Sequence, residues 1–131
     1  MACTLEYATV VYPLDRAHRI LLPRRCNTRF ANGQRNGPGG RLAEGETPWE
    51  CAVRETDEEI GVELDPRALT YTARLFDAEL DEDDTAHPRF VVDYFIATAW
   101  SGVPAGTEKI PYMLAYDCLL TYINWFVKNR L

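Results

Sequence analysis

The stretch GPGGRLAEGETPWECAVRETDEEIGVEL, from Gly37 to Leu64, constrains this chain more than any other. It opens on glycines and turns into a helix with both ends marked. Thr47 is placed to cap it, Pro48 suits the first helical position, and Glu50 completes a capping box. Gly61, after Ile60, is a natural stop because glycine adopts the left-handed conformation without strain. At about 100° per residue, Trp49, Ala52, Val53 and Ile60 share one side and are expected to face the core. Glu55, Glu58 and Glu59 group within roughly a third of the circumference elsewhere, on a face that reads as purely anionic. Like charges at this spacing weaken the helix that carries them.

Two readings of that face stand side by side. One is a solvated acidic surface, whose repulsion is tolerable. The other is a site for hard divalent cations, which prefer carboxylate oxygens. The flanking residues bear on the choice. Gly37, Gly39 and Gly40 form a glycine loop that can bring backbone groups close to a ligand. Glu46 sits just ahead of the helix, within reach of Arg54.

Around this stretch the chain reads as strands. Thr4–Tyr12 is rich in β-branched and aromatic residues, and RILLPRR is expected to pair back on it after the turn PLDRAH. CNTRFANGQRN, with its Asn-Gly step, reads as a loop. Leu69–Phe76 and Arg89–Trp100 are two further strands, and the acidic DAELDEDDTAHP between them reads as a solvated hairpin loop rather than a metal site. After the turn-rich SGVPAGTEKIP, the tail YMLAYDCLLTYINWFVKNRL reads as a helix. Met113, Leu114, Leu119, Leu120, Ile123, Phe126 and Val127 form its apolar face, and Lys128 and Arg130 lie near its C-terminus. Strands around one central helix plus a C-terminal helix predict an α/β sandwich over a mixed sheet, as one domain spanning residues 1–131.

Charge narrows the partners. The net charge is −6, yet residues 1–45 hold seven arginines against Glu6, Asp15 and Glu44. An acidic chain is a poor fit for duplex nucleic acid, whose binding rests on many phosphate contacts. A local arginine supply still suits one small polyphosphate. The four cysteines are scattered without a C-x-x-C pair, as in a reduced, cytoplasmic protein. Glu6 interrupts MACTLEYATVVY, so no targeting signal is expected there, and no apolar run approaches bilayer length.

The spacing G-x5-E-x7-R-E-U-x-E-E-x-G-U, with U a bulky apolar residue, is the Nudix box. Here it is met by Gly40, Glu46, Arg54, Glu55, Thr56, Glu58, Glu59, Gly61 and Val62, with Thr56 less apolar than that pattern prefers. The chain therefore resembles the Nudix hydrolases over most of its length. The resemblance implies hydrolysis of a nucleoside diphosphate linked to another group, with Mg²⁺ or Mn²⁺ held by Glu55, Glu58 and Glu59 and helped by a Gly39 or Gly40 carbonyl. One glutamate would take the proton from water, and the Arg54–Glu46 pair would brace the loop against the helix.

RNGPGGRLAEGET and IPYMLAYD are similar to segments of MutT-type, oxidised-purine nucleoside triphosphatases. That similarity points to Asn36 and Asp117 for the base, and to Arg24 and Arg25 for phosphate or substrate. Asn36 as a turn residue and the two arginines as a charged strand end remain the alternatives. The chain departs from such relatives before Lys109, where about a strand's worth of sequence is missing and Glu108 is the remaining acid. Three consequences stay open: a sheet one strand short before the C-terminal helix, a more open substrate cleft, or a gap filled by another subunit. The leading expectation is an Mg²⁺-dependent enzyme releasing pyrophosphate from a purine or oxidised-purine nucleoside triphosphate, such as 8-oxo-dGTP. Its rivals are an ADP-ribose or other nucleoside-diphosphate-conjugate pyrophosphatase and a nucleotide-binding module without turnover. Monomer and homodimer both remain open.

Overall fold

A computed structural model describes residues 5–25, 37–80, 82–104, 112–118 and 128. The β-branched run at the N-terminus forms β1 (Glu6–Pro13), an inner strand of a four-stranded mixed sheet. On one side it pairs antiparallel with β3 (Gly39–Arg41), and on the other parallel with β6 (Ala86–Ala97). Beyond β6 lies β5 (Leu69–Leu80), antiparallel to it. One helix, α1 (Pro48–Ile60), packs on this sheet. Two short strands, β4 (Glu63–Leu64) and β7 (Trp100–Ser101), pair beside it. The architecture is α+β with a mixed sheet, as expected.

The core lies between α1 and the sheet. Val11, Leu21, Ala52, Ile60, Val62, Leu64, Leu69, Phe95 and Ala97 form one buried cluster, with Val53 and Trp100 packed against it. Trp49, expected to face the core, stays 44% exposed because it lies at the sheet margin. There it stacks on Tyr71 and meets the Phe95 ring edge-on. Among the described residues, no helix is long and apolar enough to cross a membrane.

Three expectations about strands need correction. β2 (Arg19–Arg25) does not pair back on β1: an isolated bridge joins Ile20 to Leu14, just past the end of β1, and the strand pairs throughout with β8 (Tyr112–Cys118). The turn between β1 and β2 is built as read, with Asp15 Oδ1 accepting from the amides of Ala17 and Arg19. However, Ile20, Leu21 and Leu22 are all buried, so β2 must be covered on both faces. The tail segment expected to begin a helix instead supplies β8, because a short apolar run fits a covered strand as well as a helix. The rest of that expected helix, apart from Lys128, and the junction before Lys109 lie outside the described residues. Finally, DAELDEDDTAHP is mostly strand: β5 runs to Leu80 and β6 starts at Ala86, leaving a short turn.

One buried charge ties β5 to β6. Asp93 is 1% exposed and accepts from Arg74 Nε at 2.8 Å, Arg74 Nη2 at 3.1 Å and the Tyr71 hydroxyl at 2.8 Å. Tyr71 and Arg74 are an odd number of residues apart and would point to opposite faces of a regular strand. The bulge between Tyr71 and Ala73 restores them to one face. Burial pushes the Asp93 carboxyl up, but the Arg74 and Tyr71 bonds outweigh it and hold it below the usual range. Losing one partner of a fully buried ion pair costs about 3–5 kcal/mol. Arg74 is nearly half exposed and regains water, which lowers that cost. Asp93→Ala should therefore lose about 2 kcal/mol, a fall of roughly 7 °C in Tm. Thermal unfolding indistinguishable from the parent would contradict this role.

Candidate functional site

The site begins with two glycines that the sequence reading placed in a loop. Gly39 and Gly40 are instead paired strand residues, opposite Val10 and Thr9 of β1. They are glycine because of what approaches them. A Cβ on Gly39 would lie 2.0 Å from the Thr9 carbonyl oxygen, and one on Gly40 would lie 2.5 Å from the Glu55 carboxylate. At Gly39 the obstacle is backbone and no side chain fits, whereas at Gly40 a side chain would displace the Glu55 carboxylate from its place. The Gly39 amide donates to Glu59 Oε2 at 3.2 Å, and the Gly40 carbonyl accepts from the Cys51 thiol at 3.5 Å. Burial pushes that thiol up to about 11, so it stays protonated and donates.

Helix α1 presents the carboxylates, and its ends are as the sequence marks them. Thr47 Oγ1 accepts from the Glu50 amide at 3.2 Å, Pro48 opens the first turn, and Gly61 closes the helix at φ 70°. Thr56, the departure from an apolar residue, is fully buried, with its hydroxyl donating to the Ala52 carbonyl at 2.7 Å. The anionic face, for which a solvated surface was one of two readings, is partly enclosed. Glu59 is only 5% exposed. It follows Ala52 by seven residues, two helical turns, and so lies on the buried line of the helix.

Arg54 joins these parts. Its Nε and Nη2 donate to Glu46 Oε2 and Oε1 at 2.7 and 2.9 Å, forming a fork. Nη2 also reaches the Arg41 carbonyl at 3.1 Å, and the Ala43 amide donates to Glu46 Oε1 at 2.9 Å. Nη1 donates to Glu55 Oε1 at 2.8 Å and Glu58 Oε2 at 3.2 Å. The loop before the helix, the end of β3 and two carboxylates thus converge on one guanidinium. Arg54 hydrogen bonding, aided by the Ala43 amide, overrides burial and holds the Glu46 carboxyl down at about 2.

Glu55, Glu58 and Glu59 offer hard oxygen donors of the kind Mg²⁺ and Mn²⁺ prefer. The clearance over Gly40 lets the Glu55 carboxylate lie directly against the backbone. The residues therefore suit such an ion. With Arg54 between Glu55 and Glu58, no group of three His, Cys, Asp or Glu side chains among the described residues stands ready at metal-binding spacing.

Of the residues expected to meet substrate, three belong to the β2–β8 ribbon. Arg24 and Arg25 end β2, opposite Met113 and Tyr112 of β8, whereas Asp117 faces Ile20 in the same ribbon. Asp117 is thus at least four residues from both arginines along the ribbon, about 13 Å or more. Asn36 and Glu108 lie outside the described residues. Several contacts at the site escaped the sequence reading, the first being the Gly39–Glu59 bond. The others are the Cys51 thiol between Gly40 and Thr9, and the Arg54 bonds to Glu55, Glu58 and the Arg41 carbonyl. The seven-residue step from Ala52 to Glu59 was the available signal for the first.

The pattern of the NUDIX domain matches residues 4–111. Among solved structures, a MutT structure from work on Aliivibrio salmonicida and Vibrio cholerae superposes with a TM-score of 0.71 at 20% identity, covering 92% of this chain and 86% of that one. A MutT Nudix hydrolase from Burkholderia pseudomallei gives 0.68 at 24% identity, with 88% and 84% covered. A MutT protein from Bacillus halodurans gives 0.72 at 19%, with 91% and 72% covered. At these identities the structures speak to the fold.

The Glu46 fork has a pH signature. Its carboxyl is lowered on folding, so its stabilisation is fully present above the unfolded carboxyl range near 4.5 and fades as pH falls towards about 2. Glu46→Gln should flatten the acid limb of the stability–pH curve between those values, with unfolding by urea as the measurement. An unchanged acid limb would show that the fork contributes nothing.

Proposed function

The chain belongs to the NUDIX family of pyrophosphohydrolases, and from that premise we propose that it hydrolyses a nucleoside triphosphate to the monophosphate and pyrophosphate. The proposed substrate is a purine or oxidised-purine nucleotide of the 8-oxo-dGTP kind, and the proposed cofactor is Mg²⁺ or Mn²⁺. The observation that carries this reading is the gathering of the three box glutamates at one place: Glu55 lies against Gly40, Glu59 accepts from the Gly39 amide, and Arg54 holds Glu58 beside Glu55. The cytoplasm is the proposed setting.

In the reaction, a water oxygen bonds to phosphorus, the anhydride P–O bond breaks, and pyrophosphate leaves. A divalent cation, when bound, offsets the phosphate charge and acidifies the water. Glu55, Glu58 and Glu59 would hold that ion, and one of these carboxylates, or one on a later loop, would accept the water proton. Glu59 is held in place by the Gly39 amide, and Glu55 and Glu58 by Arg54. The Arg54–Glu46 fork positions without touching substrate. Arg24, Arg25, Asn36 and Asp117 are proposed to contact the nucleotide outside the carboxylate cluster.

The deciding experiment supplies Mg²⁺ with nucleoside triphosphates, oxidised analogues, nucleotide sugars, ADP-ribose and dinucleoside polyphosphates, and identifies the products. Monophosphate plus pyrophosphate from a purine triphosphate is expected; turnover confined to ADP-ribose would replace this reading. In the same panel Asn36→Ala should blur discrimination between bases more than it slows hydrolysis, and a uniform loss across bases would remove it from the base site.

Glu58→Gln and Glu59→Gln test the carboxylates. Each should cost about 10²-fold or more in kcat while circular dichroism and Tm stay near the parent. The second substitution keeps a side-chain oxygen to accept from the Gly39 amide, and removal of like charge relieves the helix. Near-parental rates in both would overturn the assignment.

A further inference from the structure

The guanidinium of Arg54 does two jobs that differ in strength. It has five N–H donors, and its contacts divide into two arms. Nε and Nη2 grip Glu46, whose side chain is 10% exposed, and the Arg41 carbonyl. The Nη1 arm spans Glu55, 15% exposed, and Glu58, 47% exposed, and its bond to Glu58 is the longer at 3.2 Å. The first arm is sheltered and reinforced by the Ala43 amide; the second ends at solvent.

The carboxylates need a counter-charge there. Glu55, Glu58 and Glu59 occupy the C-terminal half of α1, where the helix dipole already presents negative charge, and the last turn carries no basic residue. One positive charge shared between two of three carboxylates leaves the cluster anionic.

We propose that Arg54 is a stand-in cation. In the cation-free protein its Nη1 arm holds Glu55 and Glu58 together. Arrival of a divalent cation releases that arm from Glu58, while the Glu46 fork keeps the guanidinium in place. Arg54 therefore competes with the ion it prepares for, which sets an upper limit on cation affinity. The inference rests on the metal site proposed above.

The test is direct binding of Mn²⁺ alone, followed by electron paramagnetic resonance and by thermal unfolding at one fixed Mn²⁺ concentration. Arg54→Gln should bind Mn²⁺ about fivefold or more tightly than the parent and show the larger Mn²⁺-induced rise in Tm. Arg41→Gln is the control. It removes an equal charge from a neighbouring residue whose side chain pairs with Glu6, and it should leave Mn²⁺ affinity within about twofold. Equal or weaker binding by Arg54→Gln, or equal tightening by Arg41→Gln, overturns the proposal. If Arg54→Gln fails to fold without cation, refolding on Mn²⁺ addition supports it and continued unfolding overturns it. No Mn²⁺ binding by the parent removes the metal site itself, and the inference with it.

Discussion

The Arg54–Glu46 fork is the contact on which the rest of the site depends. Glu46 belongs to the loop that follows β3, Arg54 to the middle of α1, and their two short bonds fix the helix against that strand. Arg54 also donates to the Arg41 carbonyl, so the end of β3 is held by the same group. With the helix so placed, Glu55 falls over Gly40 and Glu59 within reach of the Gly39 amide. A lysine in place of Arg54 could not make this connection. Its compact ammonium lacks the planar fork that grips a carboxylate with two parallel bonds.

Closeness is the second constraint, and glycine answers it. β3 and α1 approach until a single Cβ on Gly40 would overlap the Glu55 carboxylate. The same proximity buries Glu59 and brings the Cys51 thiol onto the Gly40 carbonyl and Thr9. A buried carboxylate is costly unless it is hydrogen-bonded, and the Gly39 amide supplies one such bond. A helix face that is anionic in projection therefore divides in space into one enclosed carboxylate and others nearer to water.

How much was legible from the residues varies with the range of the interaction. Thr47, Pro48 and Gly61 mark the ends of α1 because capping is decided within a few residues. The Asp15 turn was legible for the same reason, as its side chain bonds amides two and four residues on. The partner of β2 was not: the turn suggested β1, but three consecutive buried residues, Ile20, Leu21 and Leu22, required a distant strand. Tyr112–Cys118 was misread as the start of one helix through the whole tail. The apolar pattern further along was extended over a short run whose own period does not decide between strand and helix. The Asp93 cluster was invisible as well, since the bulge that brings Tyr71 and Arg74 to one face arises from pairing with β6.

By itself the sequence determined the helix, its caps, the spacing of the Nudix box and the availability of Arg54 to Glu46, because each lies within one short segment. Only the tertiary structure decided that β3 presses against α1, that Glu59 is enclosed, and that Arg54 reaches both Glu55 and Glu58. The same holds for the ribbon that separates Asp117 from Arg24 and Arg25. These features depend on which distant surfaces meet. Burial and hydrogen-bond satisfaction select among many pairings that local preference leaves nearly equal in energy.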